Sequence, residues 1–337
     1  MPLLYDIPFH LQTLVGTQRA SLVGAIIKDN LTGQILGHVQ QTSGFSSAVG
    51  QAFGALGTSS FSPLSAISVF QNEQLRRSIA ELGNGMLLMQ NLQYGALAIS
   101  GLGLGVSVAG FAATMAKLRA IEGQLDGISE KIGRITSDRR EDDLKTVFAE
   151  VAGDLQSVET LIDRKDPQRV AEQLQLSLAR SIRKIEKDFV READVRHKTL
   201  LPIEALDRLW TLAAAMRLCQ EASIQALFVA DELRVAQQFG QVELVRQIEL
   251  LQSISPDILS RMVSRSEKDP IAASKLRQVA LAQARTLADG IKGGVLSLAG
   301  QVSISIALQD EGTGGHDYMR AVRTESSASL AYLMPKD

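Results

Sequence analysis

Charged and apolar positions are distributed very unevenly along this chain of 337 residues. Apart from His38, no acidic or basic side chain lies between Asp29 and Glu73. A short island of Glu73, Arg76, Arg77 and Glu81 follows, and the next charge is Lys117. From Lys117 to Lys292 charges are dense, as on the helices of an ordinary soluble protein. The stretch from Gly293 to Gln309 is again uncharged.

The pattern predicts a mainly α-helical chain of long antiparallel helices. It combines a coiled-coil hairpin, a hydrophobic membrane-competent segment and a small N-terminal β-hairpin. Ser21 to Lys28 reads as a first strand. Asp29-Asn30-Leu31-Thr32-Gly33 supplies the turn, with Gly33 free to take positive φ, and Ile35 to Gln40 alternates as a second strand. Ser62-Pro63 is a helix start, and no proline follows until Pro167, so a long helix is expected from about Pro63 to about Ile135.

Leu118, Ile121, Leu125, Ile128, Ile132 and Ile135 are spaced 3, 4, 3, 4, 3, which is the seam of a coiled coil. A polar turn is expected at Ser137-Asp138, before a second stripe of Leu144, Val147, Val151, Leu155, Val158 and Ile162. Asp166-Pro167 and Pro202 restart helices, the latter running to about Phe239. Shorter helices are expected over 241–253 and 256–264, and a last one from Pro270 to about Ile291. The uncharged run after it, with Ser303, Ile304, Ser305 and Ile306 alternating, suits either a second membrane-contacting element or a strand. The expected organisation is a β-hairpin region (1–42), a Gly/Ala-rich segment with the long helix (43–136), a helical bundle (137–309) and a tail (310–337).

The span from Leu82 to Ala116 carries the functional expectation. Its apolar core, Tyr94 to Ala116, has 23 residues; at about 1.5 Å per residue a helix of that length covers a hydrocarbon layer roughly 30 Å thick. Lys117 and Arg119 follow at once and could snorkel to headgroups. Gly101, Gly105, Ala109 and Ala113 fall four apart on one stripe, so helix backbones could approach closely there. The same pattern suits a buried helix of a soluble bundle. The two readings are compatible if the segment is packed away first and released later.

Composition narrows the chemistry. A formal net charge of −2 and an aromatic content of 4% argue against a nucleic-acid binder. Cys219 is the only cysteine, which fits a cytoplasmic origin, and the N-terminus has no basic region ahead of an apolar core. His10, His38, His197 and His316 are not spaced as metal ligands, and neither a G-x-S-x-G elbow nor a Walker A motif occurs. The Gly101–Gly105 run lacks the complete dinucleotide spacing. No catalytic residue, cofactor or metal is expected. Cys219 reads as a packed core thiol, and Arg180, Arg183, Lys184 and Lys187 as a solvated helix face that could also meet anionic lipid.

Long helices, an internal hydrophobic hairpin and the lack of an enzyme motif resemble, in architecture, the α-helical pore-forming toxins of the cytolysin A type. The first 135 residues also resemble uncharacterised bacterial proteins. Those pair a β-hairpin, here SLVGAIIKDNLTGQILGHV, with a segment like LGVSVAGFAATMAKL and a coiled coil. The resemblances imply a membrane-inserting effector of bacterial toxicity or anti-phage defence. Such a protein would be cytoplasmic and then membrane-associated, with lipid, further copies of itself and a second, triggering protein as partners. They carry over no residue roles. The rival expectation is a non-enzymatic coiled-coil adaptor or membrane-anchored scaffold.

Overall fold

A computed structural model of the chain describes residues 8–23, 26–41, 135–194, 199–324 and 330–333. They form a mainly helical protein with a small sheet. In chain order the elements are α1 (Phe9–Gly16), β1 (Ala20–Val23), β2 (Ile26–Asp29), β3 (Ile35–Gln41), α2 (Ile135–Glu159), a 3₁₀ turn (Leu161–Asp163), α3 (Pro167–Glu192) and α4 (Glu204–Val229). They continue with α5 (Leu233–Ser253), α6 (Pro256–Ser264), α7 (Pro270–Glu311), α8 (Gly315–Thr324) and β4 (Leu330–Leu333).

The helix starts follow local capping chemistry. Asp166, Ser255 and Asp269 each stand before a proline at the first helical position and accept hydrogen bonds from backbone N–H groups of the first turn. Asp269 takes two, from Ile271 at 3.2 Å and Ala272 at 3.3 Å. On α3 the apolar residues Leu174, Leu178, Ile182, Ile185 and Phe189 recur every three or four positions and all face the core. On α2 the stripe from Leu144 to Val158 is buried likewise.

The four strands are antiparallel in the order β1-β2-β3-β4. The Asp29 side chain accepts from the N–H groups of Leu31 (2.8 Å) and Thr32 (2.7 Å), and Gly33 takes φ 75°, as its turn requires. Those two backbone donors hold the Asp29 carboxyl below its usual range. Leu11 and Val15 of α1 pack with Ala20, Ile27 and Val39 into a core separate from that of the bundle.

Several expectations are corrected. Ser21–Lys28 is not one strand: Val23 and Ile26 are register partners, so only residues 24–25 separate β1 from β2, a spacing suited to a tight hairpin. Ser137-Asp138 is no turn but lies inside α2, whose start at Ile135 carries the helix through the charged run. The helix from Pro202 stops at Val229, and Gly240, expected to end it, sits within α5. There it permits close approach to α7, because a Cβ would lie 2.6 Å from Val302 Cγ2. The last long helix does not end at Ile291. It runs on to Glu311, so Gly293–Gln309 is helix and not strand. Its end at Gly312 (φ 66°) is a Schellman cap, with Thr313 N–H donating to the Leu308 carbonyl at 2.9 Å and Gly312 N–H to Gln309 at 3.1 Å. The segment expected as a tail supplies α8, with Tyr318, Met319 and Val322 buried, and β4, which pairs with β3.

Candidate functional site

Helix α4 is the axis of the bundle. It packs against α2, α3, α5, α7 and α8, and nearly every residue from Ala205 to Val229 is buried. From Leu209 to Ala230 the only charges in its sequence are Arg217 and Glu221, one helical turn apart. Both are 3% exposed at the side chain and pair with each other. Arg217 Nη2 also donates to Ser297 Oγ of α7 at 2.8 Å, and the Gln301 amide of α7 donates to the second oxygen of Glu221. Burial pushes the Glu221 carboxyl up against the opposing pull of Arg217 and Gln301, and pulls the Arg217 guanidinium down. Arg217 Nε and Nη1 and Gln301 Oε1 are buried without a hydrogen-bond partner.

A second polar cluster lies on the neighbouring face of α4. Gln220 Nε2 donates to Glu243 Oε2 of α5 at 3.1 Å, and Gln247 Nε2 donates to Gln220 Oε1 at 3.3 Å. Glu243 also accepts from Arg183 of α3 and, at 2.9 Å, from Arg246. Burial raises its carboxyl too, while Gln220 and Arg183 oppose the rise. Successive residues of α4, Gln220 and Glu221, thus tie it to α5 and α7 in turn. Buried directional pairs of this kind are costly to leave half-made, so they penalise any shift of α4 against its neighbours.

The chemistry here is that of a lock. Neither cluster contains a nucleophile beside a base. Cys219, between them in sequence, is fully buried, and burial drives its thiol upward, away from the reactive thiolate. Among the described residues no group of three or more His, Cys, Asp or Glu side chains could hold a metal ion. Of the α3 residues Arg180, Arg183, Lys184 and Lys187, Arg183 is engaged by Glu186 and Glu243, and Lys184 by Glu150.

One described helix, α7, is long and apolar enough to cross a membrane. Just over half of its most apolar stretch is buried inside the bundle. Such a helix also suits the core of a soluble protein. Of the residues singled out in the sequence, Gly101, Gly105, Ala109, Ala113, Lys117 and Arg119 lie outside the described residues, as do Leu118, Ile121, Leu125, Ile128 and Ile132 of the seam. Ile135 opens α2. The buried clusters were missed, although two lone charges in an otherwise apolar helical run signalled a buried pair. No protein-family model, curated protein or solved structure matches the chain.

Proposed function

We propose that the chain is a membrane-inserting, pore-forming or permeabilising protein, non-enzymatic, made in the cytoplasm and assembling as a homo-oligomer on lipid after a trigger. The observation that carries this reading is the uncharged run of 35 residues from Leu82 to Ala116, followed by Lys117 and Arg119. A water-facing surface helix does not omit charge over nine turns, and each glycine in it would cost about 1 kcal/mol. Helix α7 supports the reading from the described residues, as a long apolar helix more than half buried in the bundle. A role in bacterial toxicity or antiviral defence follows from the resemblance in architecture. The second reading is a coiled-coil adaptor or membrane-anchored scaffold, favoured by the 3–4 spaced seam from Leu118 to Ile135.

Dye release from liposomes separates them. The first reading expects leakage from at least one lipid composition, and expects Gly105→Leu with Ala109→Leu to abolish it with helix content retained. Partition onto vesicles without leakage supports anchoring. No partition under any trigger supports the soluble adaptor.

A further inference from the structure

Helix α5 is apolar on two sides. Its inward face carries Leu233, Ala236 and Leu250 beside Gly240, Glu243 and Gln247, while Val235, Val242 and Val245 on its outer face are 40%, 51% and 56% exposed. Exposed valines on the outer side of a helix already packed on its inner one offer apolar surface to a partner. The outer residues Val235, Gln238, Val242, Val245, Glu249 and Gln252 are spaced 3, 4, 3, 4, 3, so they form one straight seam.

We infer that this seam pairs α5 with α5 of a second copy of the chain, antiparallel, about a two-fold axis midway between Val242 and Val245. The occupant follows from the self-complementarity of the seam. In that register Val242 faces Val245 of the second copy, and the Gln238 amide faces the Glu249 carboxylate, which it can donate to. Arg234 lies one turn, about 6 Å along the axis, from Glu249 of the second copy. Arg234 and Glu249 are exposed and hold no ion pair among the described residues. The two-fold makes every contact twice, so two Arg234–Glu249 pairs flank the valines, as in an isologous interface. No like charges oppose. The pairing needs no bilayer, so it stands or falls separately from the membrane reading.

The test is sedimentation equilibrium of the full chain without lipid or detergent. The wild type is expected at twice the chain mass, and Val242→Glu with Val245→Glu at half that value with an unchanged helical circular-dichroism signal. Arg234→Glu and Glu249→Arg should each weaken the dimer at least tenfold, and the two together should restore it. A monomeric wild type across the accessible concentrations overturns the inference. So does a dimer that survives the valine substitutions, or a charge swap that restores nothing.

Discussion

The Arg217–Glu221 pair offers the sharpest test of how the bundle is held. Replacing Glu221 by Leu leaves the Arg217 guanidinium buried with only Ser297 as partner, and Arg217→Met leaves the Glu221 carboxyl with only the Gln301 amide. Removing one member of a buried pair costs about 3–5 kcal/mol, because the survivor is an uncompensated buried charge. Replacing both by apolar residues removes that penalty. What remains is the orphaned Gln301 amide, worth about 1–3 kcal/mol, partly offset because the unpartnered Arg217 Nε and Nη1 disappear as well. With each single change near 3 kcal/mol and the double near 2, the two are coupled by about 4 kcal/mol.

Urea unfolding followed by circular dichroism reads this directly. The sign of the pH dependence is a second check. The Glu221 carboxyl is raised in the folded state, so the folded chain binds that proton more tightly than the unfolded one. Stability from this group is therefore gained as pH falls from neutral toward the ordinary glutamate value of 4.5, and lost as it rises. The Arg217→Met defect should shrink over that window, since the stranded carboxyl can take up a proton. Additive single and double effects, or a defect that grows on acidification, would refute the reasoning.

Two further outcomes follow from the packing. Gly240→Ala places a Cβ against Val302 and should destabilise by about 1–3 kcal/mol, with Val302→Ala in the same chain recovering part of the loss in urea melts. Asp231, at φ 60°, accepts from the His316 N–H of the first turn of α8 at 2.9 Å; Asp231→Ala should cost about 1–2 kcal/mol by differential scanning calorimetry, and Asp231→Asn, which tolerates that backbone and keeps an acceptor, much less.

What the amino-acid order determined by itself is local. A capping side chain before a proline starts α3, α6 and α7, because the orphan N–H groups of a first turn are satisfied within three residues. Asp29 and Gly33 make their turn for the same reason of range. The tertiary structure decided what depends on distant partners. Gly293–Gln309 is helix although its glycines disfavour one, since Gly294 and Gly300 are buried in the bundle and packing outweighs propensity. Gly240 continues α5 instead of ending it because Val302, sixty-two positions away, needs the space. Strand β4 finds β3 across nearly the whole chain. On α5 the inward face combines Leu233, Ala236 and Leu250 with Glu243, whose partners Gln220 and Arg183 come from two other helices. Propensity and capping act over one turn of backbone, whereas burial and buried hydrogen bonds act between segments that meet only when the chain is folded.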